Sequence, residues 1–185
     1  DAICYSGLGL EVGWLPRVIQ RSGNSRLMPG QIGDCNLGSE VEVLNKPKGV
    51  IDRSMGDVHP QGNPHYTSDP LMMIKASKVV TNTLIKLSPD NKKTFNDNSL
   101  KLKKYLNQLH KEVLNMLAEI KNRKALGYHS EFNYWLKSYS FENYGMLENK
   151  PGMPPSAGRI AQVAVDAQKK KVSLLLYTDF NSHSI

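Results

Sequence analysis

No stretch of this chain is apolar for long enough to enter a bilayer. The longest runs, such as Leu174-Leu175-Leu176-Tyr177, last only a handful of residues, against the roughly twenty that a membrane helix needs. No basic opening followed by an apolar segment stands at the start, so no signal peptide is visible. Residues 2–6 read instead as a buried strand, and the expectation is that the natural chain carries residues before Asp1. Cysteine is scarce: Cys4 and Cys35 are the two present. They are compatible with one disulfide in an oxidising compartment or with two buried thiols. The apolar strand pattern around Cys4 favours burial, and the spacing matches no metal motif. A nucleophile elbow, a Gly-rich phosphate loop and an HExxH helix are all absent, which removes the usual signatures of serine hydrolases, nucleotide-binding enzymes and zinc peptidases. No internal repeat or low-complexity tract is present.

What remains is an ordinary globular composition. The chain has 185 residues, 39% of them apolar and 22% charged, enough for one large domain or two small ones. A net charge of +7 would permit contact with nucleic acid. The lysines, however, are spread over predicted helices (Lys92-Lys93, residues 101–104, residues 121–124 and residues 169–171), with no aromatic residues between them to stack on bases. Solvated helix faces are expected, and no nucleic-acid partner.

Read in order, residues 2–6 predict a short strand. The apolar positions of residues 10–20 predict an amphipathic helix, which Pro16 either kinks or confines to a start near Trp14; Gly23-Asn24 ends it. A strand near residues 26–28 is an option, and the alternation of Glu40-Val41-Glu42-Val43-Leu44 predicts a half-buried one. Asp69-Pro70 reads as a helix cap followed by proline at the first helical position. Ser88-Pro89 repeats the signal. From there apolar residues recur every three or four positions to Ile120, so one near-continuous helix is expected from Pro89 to about Lys121. Thereafter strand and helix alternate: strands over residues 125–129, 141–147 and 172–177, helices over residues 132–139 and from Ser156 to about Lys170. The near-continuous apolar run at residues 172–177 suits a fully covered parallel strand. The fold class expected is α/β.

The chemistry concentrates in residues 56–70, GDVHPQGNPHYTSDP, where two histidines, two aspartates, three prolines and two glycines fall together. Three prolines fix φ and remove donors, so this is a stiff, kinked loop and neither helix nor regular strand. Imidazole and carboxylate on pre-ordered backbone suit a transition metal. His129 stands at the carboxyl end of a predicted parallel strand, where open α/β sheets bind ligands. A metal between His65 and His129 would tie two parts of the chain together. His59 is a reserve ligand six residues before His65; Asp57 and Glu131 are more distant ones. Asp69 is better used as a cap, and His110 and His183 read as ordinary exposed residues.

Several motifs in order resemble the zinc/manganese-type substrate-binding proteins of bacterial metal ABC transporters. They are Ser6-Gly7-Leu8-Gly9-Leu10-Glu11 with Trp14, then Gly62-Asn63-Pro64-His65-Tyr66 with Asp69-Pro70, then Gly127-Tyr128-His129, then Pro151-Gly152-Met153-Pro154-Pro155-Ser156-Ala157-Gly158. The resemblance implies two α/β lobes with parallel sheets joined by a long spine helix, with metal bound between them. Residues 1–70 would be part of the first lobe, residues 71–123 the helical linker and residues 124–185 part of the second lobe. His65 and His129 match two of the family's metal ligands. A first histidine upstream and an aspartate downstream fall beyond the matched segments, so the chain looks like the middle of such a protein, lacking both ends. Thr67-Ser68 stands where Trp-Leu is usual.

The function implied is extracytoplasmic, either periplasmic or on a membrane-anchored lipoprotein. The protein would not be an enzyme; it would hand its metal to a cognate permease in the membrane. Zinc is expected over manganese, because manganese-type members commonly place a carboxylate where His129 stands and imidazole suits zinc better. Two other readings stay open: a metal-dependent hydrolase using His65 and His129 with Glu131 as base, and a family fragment that keeps the fold without tight metal binding. If strands are missing before residue 2, the exposed edge of the first strand should also recruit a second copy of the chain or leave the first lobe poorly ordered.

Overall fold

Asp69 starts the first long helix as its sequence requires. Its carboxylate accepts the backbone N–H of Leu71 at 2.9 Å, and Pro70, which has no N–H to lose, opens α2 (Pro70–Leu87). The computed structural model describes residues 1–181; His183 lies outside them. Upstream of α2 come β1 (Ile3–Tyr5), α1 (Leu15–Ser22) and β2 (Asp34–Asn36). Trp14 precedes α1 without a capping side-chain bond and Pro16 falls within its first turn, so the proline starts the helix and does not kink it; Gly23, in left-handed conformation, ends it.

The first sheet is a parallel pair of β1 and β2 with Cys4 level with Cys35. The two cysteines are joined by a disulfide, and Cys4 is exposed, which corrects the expectation of burial. Parallel pairing explains it: the register brings their Cα atoms to 4.3 Å, where a bridge is sterically direct. Among the described residues β1 has a strand on one side only.

Two further strand expectations fail here. Residues 26–28 fall in and just after a 3-10 turn (Ser25–Leu27) that Asn24 caps. Residues 40–44 do not form a strand either; a 3-10 turn (Leu37–Glu40) leads into irregular chain. The apolar side chains Val41, Val43 and Leu44 are still used, packing with Leu8, Tyr66, Ala76 and Tyr134. Backbone pairing goes elsewhere: Leu44 donates to the Tyr134 hydroxyl and accepts from the N–H of Asn63. Half-buried alternation had an explanation other than a sheet.

After a 3-10 turn (Pro89–Asn91), α3 (Lys92–Met116) runs roughly 37 Å at 1.5 Å per residue. It lies along α2, with Phe95 and Leu102 facing Ala76 and Val80 across an apolar groove, and its far end carries Val113 into the core of the second sheet. The helix stops at Met116, short of Lys121. Arg123 closes it by donating to the carbonyls of Leu117 and Tyr139, while Leu117 and Ile120 turn down into that core.

The second sheet is parallel, in the order β4 (Glu142–Met146), β3 (Lys124–Gly127), β5 (Leu174–Leu176), with α4 (Asn133–Ser138) and α5 (Ala157–Lys170) as crossovers. β3 is central and buried. Among the described residues β5 is an edge strand, with Leu175 41% exposed, so the apolar run there is covered on one face only, contrary to expectation. Ser156 caps α5 through the N–H of Arg159. Leu136, Tyr139, Ala125 and Phe141 form the core under α4. Trimming Leu136 to Ala there should cost about 2–5 kcal/mol. Tyr134, from the same helix, packs instead with Tyr66 and Leu8, so α4 joins the two cores.

Candidate metal centre

Residues 56–69 are shaped by backbone anchors on both sides. The N–H of Asp57 donates to the carbonyl of Pro151 at 2.8 Å, and Asn63 donates to Leu44. At Gly56, φ is +83° and a Cβ would sit 2.4 Å from the Pro151 oxygen, so only glycine lets the two loops meet there. Asn63 then does three things. Its Oδ1 accepts the N–H of His65 (2.9 Å), its Nδ2 donates to the carbonyl of Ser130 (2.8 Å), and its own carbonyl accepts the Tyr134 hydroxyl (2.8 Å). Tyr66, fully buried, pins the next residue by donating to the carbonyl of Ser6. His65 is thus held between anchors on both flanks.

His129 follows β3 by two residues and leaves it in extended conformation. Its Nδ1 lies 2.7 Å from Oε2 of Glu148, while Ser130 Oγ is 3.5 Å from Nε2. The same Glu148 oxygen accepts the N–H of Gly152 at 3.0 Å. Sequence reading missed Glu148. The signal lay in the parallel register: Gly127 pairs with Met146, which puts His129 level with Glu148 two residues on. Asn63 was read only as part of a motif.

The structure brings the three histidines named from sequence into one row. His65 and His129 meet edge to face with ring centroids 5.2 Å apart, and His59 and His65 do so at 6.0 Å. Asp57 is exposed, Asp69 is committed to its cap and to Ser138, and His110 is far along α3. His110 is half-buried and stacked on Tyr139, not an ordinary exposed residue. Among the described residues no three His, Cys, Asp or Glu side chains stand close enough together to hold a metal ion. Two buried atoms nonetheless lack a partner here: Nε2 of His65 and Oε2 of Glu131. Burial costs such atoms free energy unless something binds them, and each is of a type that can ligate a cation.

The electrostatics point the same way. Burial, assisted by the neighbouring His129 and His59, pushes the His65 imidazole down to about 4. It is therefore uncharged at neutral pH with a lone pair to offer. Burial likewise pushes the Glu131 carboxyl upward. Beside the histidines is a hollow of about 170 Å³ that Asp57, His59, Asn63 and Ser130 help to line. Another hollow, of about 560 Å³ and mostly apolar, lies against α1 and has none of the histidines in its lining.

The sequence profile of a family described as "Zinc-uptake complex component A periplasmic" matches residues 1–184. The zinc-binding lipoprotein AdcA of Streptococcus pneumoniae strain R6 is 24% identical over 196 residues, taking in all of this chain and 36% of its own length. The high-affinity zinc uptake system protein ZnuA of Bacillus subtilis is 24% identical over 123 residues, 66% of this chain and 39% of its own. The chain thus spans little more than a third of these relatives. Among solved structures, the nickel complex of FpvC from Pseudomonas aeruginosa superposes with a TM-score of 0.74 at 21% identity, over 99% of this chain and 62% of that one. The metal-dependent lipoprotein YcdH of Bacillus subtilis does so with a TM-score of 0.70 at 20% identity, over 100% and 62%.

Proposed function

This chain belongs to the periplasmic zinc-uptake component family, and from that premise we propose that it binds a divalent metal through His65 and His129 and delivers it to an ABC permease in the membrane. The family is one of transport binding proteins and not of enzymes, which sets aside the hydrolase reading. The observation that carries the proposal is the meeting of His65 and His129 at 5.2 Å with Nε2 of His65 buried and unpartnered.

Zinc is the preferred cargo. Neutral imidazoles suit it, whereas manganese, the alternative, favours oxygen ligands. His59, Glu131 or water would complete the coordination, since two histidines fill only half of a tetrahedral shell. We take residues 1–70 and 124–185 as parts of two lobes meeting at the metal, with the helices of residues 71–123 between them. The disulfide supports an oxidising, extracytoplasmic location. No helix among the described residues is long and apolar enough to cross a membrane.

Calorimetric titration of the chain with zinc, and separately with manganese, tests this. The parent should bind zinc more tightly than manganese, and H65A and H129A should each lose at least about tenfold. Variants that bind as the parent does would remove the two histidines from the site. A parent that takes up neither metal would favour a family fold without tight binding.

A further inference from the structure

We propose that Glu148 is a positioning residue for the metal: its carboxylate holds His129 in the tautomer protonated at Nδ1 and so leaves the Nε2 lone pair for the ion. This rests on the functional reading above and adds a residue outside the ligand set. The hydrogen-bond arithmetic is decisive. Oε2 of Glu148 receives two contacts, one from the backbone N–H of Gly152 at 3.0 Å and one involving Nδ1 of His129 at 2.7 Å. A backbone N–H can only donate and an ionised carboxylate can only accept, so in a neutral ring the proton of His129 must sit on Nδ1. Nε2 is then the free acceptor. Its one neighbour of note, Ser130 Oγ at 3.5 Å, is at the outer limit of a hydrogen bond.

The pair is also fixed from below. The N–H of Leu147 donates to Gly127 at 2.9 Å and that of Glu148 to Tyr128 at 3.2 Å, so the backbone beside His129 and that of Glu148 move as one. Glu148 is only 7% exposed, and little water competes for its oxygens. Gly152, its second donor, follows Pro151, whose carbonyl accepts the N–H of Asp57. The carboxylate therefore stands between His129 and the loop that carries His59. Carboxylate–imidazole pairs of this kind orient a metal ligand and raise its basicity, and losing one typically costs 10–100-fold in affinity.

Two readouts on the parent, E148Q and E148A test the proposal. Long-range proton–nitrogen correlation spectra of the metal-free, ¹⁵N-histidine-labelled proteins report the His129 tautomer, with H129A used only for assignment. Calorimetry reports zinc affinity. The parent should show the Nδ1–H form. E148A should shift toward Nε2–H and bind zinc about 10–100-fold more weakly. In E148Q the Gly152 N–H keeps the amide oxygen turned toward His129, so the tautomer should persist while the lost charge weakens zinc about threefold or more. E148A that keeps the parental tautomer, or that changes tautomer and still binds zinc as the parent does, overturns the proposal. If E148A does not fold, E148Q with parental zinc affinity overturns it. A parent that takes no zinc overturns the functional reading and the metal half of this proposal together, and the spectra still tell that case from an unheld ring.

Discussion

The ring of His65 meets that of His129 edge to face, with centroids 5.2 Å apart, although one precedes α2 and the other follows β3. Two imidazoles so close cannot both be charged cheaply, and the structure resolves this by burying His65. The consequence is a dependence on pH that can be signed.

His65 is held down to about 4 in the fold, chiefly by burial, whereas an unfolded histidine takes its proton near 6.5. Between those values the unfolded chain binds the proton and the folded chain does not. Stability of the metal-free protein is therefore complete above about pH 6.5 and falls as pH drops toward 4, then levels. A tenfold change in proton affinity is worth about 1.4 kcal/mol. The ring is partly solvated, so the loss should be about 1–2 kcal/mol. Urea unfolding of the parent and of H65N at pH 7 and pH 4.5 measures it: the parent should lose more than the variant by that amount. Equal losses would show that the ring is not held uncharged. Protons should compete with zinc at His65 only near pH 4.

How much of this could be read from the chain alone differs by feature. The α/β class and the helix starts at Pro70 and Ala157 followed from caps, prolines and periodicity, which act locally. The grouping of His65 with His129 came from the place of His129 at a strand end and from the family resemblance, with His59 as a neighbour on the same loop. Register does not. Which residue of β4 lies beside His129 is settled by the parallel pairing of β3 and β4, so Glu148 was invisible until that pairing was known. The residues 40–44 failed for a related reason: alternation reports which side chains are buried, and here Tyr134 and Asn63, distant in sequence, took the backbone bonds a strand would have used. The disulfide again depended on which strands are neighbours.

That disulfide should matter to stability. It closes a loop between residues separated by 31 positions, for which loss of chain entropy in the unfolded state predicts about 3–4 kcal/mol. Reducing agent, or paired C4S and C35S substitutions, should lower the urea midpoint by a corresponding amount. Zinc affinity should change far less, since neither sulfur belongs to the proposed ligand set. A midpoint unmoved by reduction would mean that the bridge spans chain already ordered when unfolded.

Along α3, His110 stacks on Tyr139 with ring centroids 4.8 Å apart. His110 Nδ1 and the Tyr139 hydroxyl are both buried without a hydrogen-bond partner. A hydroxyl in that condition costs stability, about 1–3 kcal/mol relative to an apolar group of the same shape. Y139F should therefore be at least as stable as the parent, while H110A, which removes the stack, should lose about 0.5–1.5 kcal/mol or more. Thermal unfolding separates them. Should Y139F lose more than about 1 kcal/mol, the hydroxyl has a partner that this geometry does not reveal.

Asn63 offers the sharpest test of whether the two histidine-bearing segments work together. Its side chain accepts the N–H of His65 and donates to the carbonyl of Ser130, next to His129, and it is only 5% exposed. N63A would leave a part-buried donor and a part-buried acceptor unpaired, a cost of about 1–3 kcal/mol. It would also free His65 to shift relative to His129, and ligands displaced by a fraction of an ångström lose affinity steeply. Zinc binding should weaken by about tenfold, of the order seen when a ligand's supporting hydrogen bonds are removed. T67A is the control: Thr67 lies on the same loop but points to solvent, so both its stability and its zinc affinity should match the parent. If N63A is destabilised yet binds zinc with parental affinity, the Asn63 bridge serves the fold alone and the geometry of the histidines is set elsewhere.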